Sequence, residues 1–313
     1  MSQTLGGIDV GCLERSGSPR SDSIRFGPSA NGVERAEVYL CSYSYEPHRH
    51  DTYAVAITIA GVQTFRYRGW RRVCLPGQLS ILHPDETHDG AAGTSAGFGY
   101  RILYIAPELI QDALGGGALP FVANPVQELT PAARPMASLL ADIDEPISEL
   151  SCADIAATVA DGLLALAGRL DHTRATIDIR AVKLVRDYLA AHAREQTPAS
   201  ILEKIAGTDR FTIGRHFRWA FGTSPDRYRT LRRLALARSS IESGHSLVQA
   251  AAEAGFADQS HMTRQFKRTY GLTPGRWIAL TAVASRERPD ISAGRLRAGS
   301  DQDLIGSARW QER

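Results

Sequence analysis

From about residue 34 to 105 short apolar runs, AEVYLCSY, YAVAITIAG, VQTFRYRG, QLSILHP and FGYRILYI, alternate with turn residues. Their β-branched and aromatic content, bounded by Gly or Pro, predicts a compact all-β unit, sandwich or barrel. From about 107 to 170 the pattern becomes helical. ASLLADI and DIAATVADGLLALAGRL each present an apolar stripe and predict a helix pair that closes the β unit or joins two subunits. PELIQDAL reads as a further helical stretch, stopped by the GGG at 115–117. After a polar break at DHTRAT, residues 177–280 are helical throughout. The first thirty or so residues, rich in Ser, Gly and Pro, and the stretch from 284 lack periodicity and are expected to be a flexible lead-in and tail.

The helical region contains a repeat. At a shift of 49, Asp209 falls on Asp258, Arg215 on Arg264, Phe217 on Phe266, Gly222 on Gly271, Pro225 on Pro274 and Leu231 on Leu280. Chance is a poor account of so many matches. Ser200 with Glu203, and Ser246 with Gln249, have capping-box spacing. Gly207 and Gly255 supply sharp turns, Asp209 and Asp258 cap the next helices, and Gly222 and Gly271 can end them. Ser224-Pro225 and Thr273-Pro274 then start another helix each. The prediction is helix, tight turn, helix, twice over.

In each second helix Ile213 and Phe217, or Met262 and Phe266, share one face and are assigned to core. The opposite face carries Phe211, Arg215 and Arg218, or Ser260, Arg264 and Lys267. A helix packed on one side and basic on the other has the form of a major-groove reader. Residues 225 to about 242 predict a connecting helix of roughly 27 Å at about 1.5 Å per residue, so the two readers could enter successive grooves.

AGFADQSHMTRQFKRTYGLTPGRW, with its near-copy, resembles the DNA-binding domain of AraC-type transcriptional regulators. The resemblance covers about 180–280 and implies two helix-turn-helix units joined by a long helix, an effector-binding N-terminal domain, and RNA polymerase and promoter DNA as partners. It implies DNA contacts at Arg210, Phe211, Arg215 and Arg218 in the first unit, and at Gln259, Ser260, Thr263, Arg264 and Lys267 in the second. Gly214 departs from the family, which often has a longer polar side chain there, so the first unit is expected to read with less specificity. EPHRHDTYAVAITIAGVQTFRYRG followed by LPGQLSILHPDETHDG is similar to the cupin-type sensor domain of the same family, on His48-x-His50, the Gly61 and Pro76-Gly77 turns, and His88. The implied architecture is α+β: a cupin-like β-barrel or sandwich with a helix pair, then an all-α tandem helix-turn-helix domain. Its divisions are 1–33 flexible, 34–175 effector binding and dimerisation, 177–283 DNA binding and 284–313 flexible.

Charge sharpens this picture. The net +2 hides an asymmetry: residues 34–124 carry 7 Lys and Arg against 9 Asp and Glu, residues 125–176 carry 3 against 8, and residues 177–283 carry 17 against 9. The basic excess sits with the repeat, as a phosphate-binding surface requires. Cys12, Cys41, Cys74 and Cys152 are scattered with no CxxC pair and read as reduced thiols. No apolar run approaches the roughly 18 residues of a membrane span and the N-terminus lacks a signal-peptide core, so the expectation is a cytoplasmic protein with no membrane partner.

No GxSxG, P-loop or GxGxxG in a βαβ setting is present, and the chain is not expected to be an enzyme. His48, His50 and His88 are of a type that binds metal, but no acidic ligand follows HxH at cupin spacing, so no metal or other cofactor is expected. Near His50, Tyr53 and His88, strand ends and turns are candidate effector contacts, with His48 beside them. The reading is a sequence-specific regulator, an activator, acting as a homodimer under a small-molecule effector. The alternative is a metal-dependent cupin enzyme fused to a DNA-binding module.

Overall fold

The computed structural model describes residues 21–167 and 178–286. The expected lead-in over residues 1–20, the break at DHTRAT and the tail beyond 286 lie outside the described residues. The N-terminal part runs β1 (Ser23–Phe26), β2 (Val33–Leu40), β3 (Tyr45–His48), β4 (Tyr53–Gly61), β5 (Gln63–Tyr67), β6 (Trp70–Cys74), β7 (Leu79–Leu82), β8 (His88–Ala92), β9 (Phe98–Ile105), α1 (Pro107–Ala113), β10 (Val126–Gln127), α2 (Arg134–Ser138) and α3 (Glu149–Ala167). Two antiparallel sheets result: six strands in the order β1-β2-β9-β4-β7-β10 and four in the order β3-β8-β5-β6.

Strand alternation decides which side chains go where. In β4, Tyr53, Val55 and Ile57 face α1, α2 and α3, and with Leu79, Ile81, Leu103 and Ile105 they make one core with those helices. Ala54 and Ala56 point the other way. Register places Glu34, Tyr104 and Ala54 in one row across β2, β9 and β4, and Ala36, Ile102 and Ala56 in the next.

The C-terminal part is all-α: α4 (Ile179–Ala191), α5 (Ala199–Ala206), α6 (Arg210–Phe221), α7 (Pro225–Glu242), α8 (Leu247–Glu253), α9 (Gln259–Tyr270) and α10 (Pro274–Arg286). The repeat folds as its punctuation predicts. Asp209 accepts from the backbone N–H groups of Phe211 and Thr212, and Asp258 from that of His261. Gly207, Gly222 and Gly271 end their helices in left-handed conformation. Ser246 and Gln249 form a full capping box, and Ser224 caps α7. Ile213 and Phe217, like Met262 and Phe266, are buried. The two units have different cores: the first packs with α4, whereas the second shares a single apolar cluster with the six-stranded sheet.

Several expectations are corrected. Residues 23–26 fall within the predicted lead-in yet form an edge strand, because Ile24 joins the cluster between sheet and helices. Ser200 does not cap α5. That helix starts after Pro198, and Glu203 instead holds Arg210, accepting from its backbone N–H at 3.1 Å and its Nε at 2.8 Å. Most of ASLLADI is not helical: Arg35 and Arg101 of the sheet donate to the carbonyls of Asp142, Leu140 and Ala141, groups that a continuing helix would use. Among the described residues α3, with a mean hydropathy of 1.6, is long and apolar enough to cross a membrane by length and composition, contrary to the sequence expectation. One side of it, Ile155, Val159 and Leu163, is buried in the N-terminal core. α10 continues to Arg286, past the predicted boundary at 283. Cys41, Cys74 and Cys152 form no disulfide.

Two glycines give opposite predictions. Gly214 lies inside α6 with nothing within 4 Å of an added Cβ, so Gly214→Ala is expected to stabilise the protein by about 0.5–1 kcal/mol through helix propensity. Gly255 has φ +78°, and a Cβ there would lie 2.6 Å from the carbonyl oxygen of Arg194. Gly255→Ala should cost on the order of 1–3 kcal/mol. Urea unfolding of the full chain reads both signs.

Candidate effector cavity and nucleic-acid interface

Small side chains on the inner face of the six-stranded sheet leave space where Val or Ile would fill it. Ala36, Ala54, Ala56 and Ser80 line a cavity of about 450 Å³ between the two sheets, within the roughly 300–1,000 Å³ typical of ligand sites. Tyr45, His48, His88 and Phe65 contribute from the four-stranded sheet. The helical domain contributes further lining, with Leu231, Arg232 and Arg238 of α7, Tyr270 of α9 and Trp277 of α10 at the mouth.

His48 and His88 are register partners across β3 and β8, with ring centroids 4.2 Å apart, and His50 stands 4.9 Å from His88. Each Nδ1 sits against a backbone carbonyl: His48 on Glu46 at 2.8 Å, His50 on Thr52 at 2.9 Å, and His88 on Glu86 at 3.0 Å. A carbonyl oxygen can only accept, so Nδ1 carries the proton and Nε2 is the lone-pair nitrogen of each ring. Burial pushes all three below the ordinary imidazole range, reinforced for His48 and His50 by the neighbouring His88; His50 falls to about 3. Burial likewise drives the hydroxyls of Tyr45, Tyr100 and Tyr104 up, Tyr45 to about 12. Among the described residues no group of three or more His, Cys, Asp or Glu side chains is placed to hold a metal ion.

Two ion pairs cross the mouth. Both terminal nitrogens of Arg238 meet the Glu34 carboxylate, and its Nε donates to Glu242 at 3.1 Å. Arg232 donates to Asp51 at 3.0 Å. The guanidinium of Arg238 also lies 4.7 Å from the Phe26 ring centre and 5.6 Å from that of Trp277, within cation–π range.

The structure brings His48, His50 and His88 together on the cavity but not Tyr53. That residue alternates to the opposite face of β4, is buried among the helices, and donates its hydroxyl to the Pro120 carbonyl at 2.7 Å. Sequence reasoning also missed Glu34, Tyr100, Tyr104, Arg232 and Arg238. The tyrosines could have been found from the alternation in FGYRILYI; the arginines lie on a helix far along the chain and carry no local signal.

On the outer surface α6 exposes Arg210, Phe211, Arg215 and Arg218, and Phe211 is 81% exposed. Arg210 is drawn to Glu203, and Arg215 donates to the Thr212 hydroxyl at 3.3 Å. α9 exposes Gln259, Ser260 and Arg264, with Thr263 half-buried. Lys267, expected to be open to DNA, instead makes an ion pair with Glu46 of β3 at 2.7 Å, because the C-terminal end of α9 packs on that strand. There the Glu46 and Arg49 backbone N–H groups donate to the carbonyls of Gly271 and Arg268, at 3.3 and 3.0 Å. A Cβ on Gly271, whose φ is +68°, would lie 2.7 Å from His48 Nδ1. The reading helix therefore ends directly against the cavity wall.

A family model described as the AraC-like ligand binding domain matches residues 31–161, and one described as a helix-turn-helix domain matches residues 202–279. The chain is similar to an uncharacterized HTH-type transcriptional regulator, YbfI, of Bacillus subtilis (strain 168), 24% identical over 223 residues that cover 69% of this chain and 80% of the relative. It is also similar to a probable transcriptional regulator, LumQ, of Photobacterium leiognathi, 30% identical over 95 residues, or 30% of this chain and 38% of the relative. Among solved structures, ToxT from Vibrio cholerae shares the fold at a TM-score of 0.57 and 11% identity, over 80% of this chain and 99% of that one. Wild-type ToxT bound to an unsaturated fatty acid gives 0.53 and 10%, over 85% and 98%.

The neutral histidines make stability depend on pH. The unfolded chain takes up protons on these imidazoles near pH 6.5, whereas in the folded chain His50 stays neutral down to about pH 3. The unfolded state binds more protons in between, so the stabilisation is complete above pH 6.5 and is lost as pH falls through that window. The melting temperature should drop across it, and less steeply in His50→Gln. Parallel profiles for the two proteins would show that His50 is not held neutral.

Proposed function

The chain belongs to the AraC family of transcriptional regulators, with a ligand-binding domain and a helix-turn-helix DNA-binding domain, and from this we propose that its effector occupies the inter-sheet cavity and controls the second helix-turn-helix unit. The observation that carries this reading is the cavity lining, to which α7, α9 and α10 contribute beside the two sheets. A molecule entering the cavity meets the helices that position the DNA-reading face, so it has differential contacts with any arrangement in which those helices move. Like the fatty-acid-bound ToxT, which shares this fold, the protein takes a small molecule as its signal.

In this proposal α6 and α9 read promoter DNA from one face, through Arg210, Phe211, Arg215 and Arg218 in the first unit and Gln259, Ser260, Thr263 and Arg264 in the second. Lys267 joins them once Glu46 lets it go. The 18-residue α7 spans about 27 Å, a length suited to placing the two helices in successive major grooves about 34 Å apart. The protein acts as an activator in the cytoplasm, contacting RNA polymerase, and pairs with a second copy through the exposed side of α3, where Leu150 and Leu164 are 75% and 42% exposed.

Arg264→Ala is expected to weaken binding to the target promoter by about 1–3 kcal/mol if the side chain meets a base edge, with little change on random DNA. Equal loss on both in gel-shift titrations would make it a phosphate contact. A gel shift with neither sequence preference nor salt dependence would overturn the whole reading. For the α3 face, replacing both Leu150 and Leu164 with Glu should yield a monomer by analytical ultracentrifugation; a persisting dimer would place the interface elsewhere.

A further inference from the structure

The chemistry of the cavity wall narrows the class of molecule it takes, an inference that rests on reading this cavity as the effector site. The charged residues lining it are Glu34, Asp51, Asp89, Arg232 and Arg238, an excess of one carboxylate. Neither arginine is idle. Arg238 spends Nη1 and Nη2 on Glu34 and Nε on Glu242, and Arg232 gives one terminal nitrogen to Asp51 while its Nε has no hydrogen-bond partner among the described residues. At Arg238 a ligand carboxylate would have to strip the guanidinium from Glu34 and leave that charge uncompensated in a partly buried site, and at Arg232 it would stand beside Asp51 in a lining that already holds one carboxylate more than it has guanidinium groups. On their own the histidines favour the neutral form: burial lowers all three, and His88 reinforces this for His48 and His50.

What the histidines do supply is acceptors. His83, buried deeper in the same domain, shows the contrast: its Nε2 accepts from the Val122 backbone N–H at 2.9 Å and its Nδ1 meets the Tyr67 hydroxyl at 2.7 Å, so both nitrogens serve the fold. In His48, His50 and His88 the fold uses Nδ1, which leaves three Nε2 lone pairs within one cluster on the cavity wall. Acceptors facing a cavity are met by donors, and the rest of the wall combines apolar residues, among them Phe65, Ile102 and Leu231, with polar ones such as Asn31, Gln63, Ser80 and Tyr104. We propose that the ligand is an uncharged, mainly apolar molecule that presents adjacent hydroxyl groups to His48, His50 and His88, and not a carboxylic acid.

A matched series on the full chain tests this: naphthalene, β-naphthol, vicinal dihydroxynaphthalene, β-naphthoate and β-naphthylmethylamine, with binding read by tryptophan fluorescence. The dihydroxy compound should bind tightest, β-naphthol next, and β-naphthoate at least about tenfold more weakly than β-naphthol, the factor expected from one gained hydrogen bond. In His88→Phe the preference for β-naphthol over naphthalene should vanish; in Gln63→Ala, away from the histidine cluster, it should survive. β-Naphthoate or the amine binding as tightly as β-naphthol to the unmodified chain would overturn the assignment of class while leaving the cavity as the effector site. If the whole series fails to bind, or binds equally well when Ala56→Trp fills the space, the effector-site reading falls, and the class assignment with it.

Discussion

The six-stranded sheet and the second helix-turn-helix unit are built around one continuous apolar cluster. Ile24, Ala36, Val38 and Phe98 on the sheet pack with Leu231, Leu234 and Trp277 on the helices and Leu272 in the turn between α9 and α10. Neither side has another way to remove these surfaces from water, so the hydrophobic term that stabilises each domain also joins them. The cavity depends on this union, since its walls come from the sheets and its mouth from the helices. The same packing brings the C-terminal end of α9 against β3 and places Glu46 within reach of Lys267.

Around that apolar contact lies a ring of polar links between the domains: Arg238 on Glu34, Arg232 on Asp51, Arg276 on Asp22 at 2.9 Å, and Arg227 on the Arg49 carbonyl at 2.9 Å. In part-buried pairs of this kind desolvation offsets much of the attraction, but they fix orientation. The cationic face of the helical domain thus has two uses. Outward-facing arginines on α6 and α9 remain in solvent, while Arg232 and Arg238 of α7 and Arg276 of α10 meet carboxylates of the β domain. Net charge counted along the chain cannot separate the two, which is why the basic excess over residues 177–283 overstates what is open to DNA.

How much could be read in advance depended on whether the signal was local. Caps, turns and the spacing of Ile213, Phe217, Met262 and Phe266 act within a few residues of each other, and the tandem units were legible down to the cap at Asp258 and the left-handed Gly271. The capping box at Ser200 misled because Pro198 set the start of α5 and Glu203 found a stronger partner in Arg210. ASLLADI misled because its carbonyls were claimed by Arg35 and Arg101, residues of distant strands. The cavity itself was half visible: the Ala-x-Ala of YAVAITIA marks a face with room to spare, though only the partner sheet turns that room into an enclosed space.

The sequence by itself determined the local structure and the family: two helix-turn-helix units, the sandwich strands, and the imidazoles near one another, because these follow from periodicity, capping and short-range geometry. Tertiary structure decided what those parts face. Which side of β4 meets the cavity, and hence why Tyr53 is a core residue and Tyr104 a wall residue, follows from register across strands far apart in sequence. That the cavity is lined in part by the DNA-reading domain, that Arg232 and Arg238 there meet Asp51 and Glu34, and that Lys267 pairs with Glu46 are consequences of burying one shared apolar surface, which no stretch of sequence encodes alone.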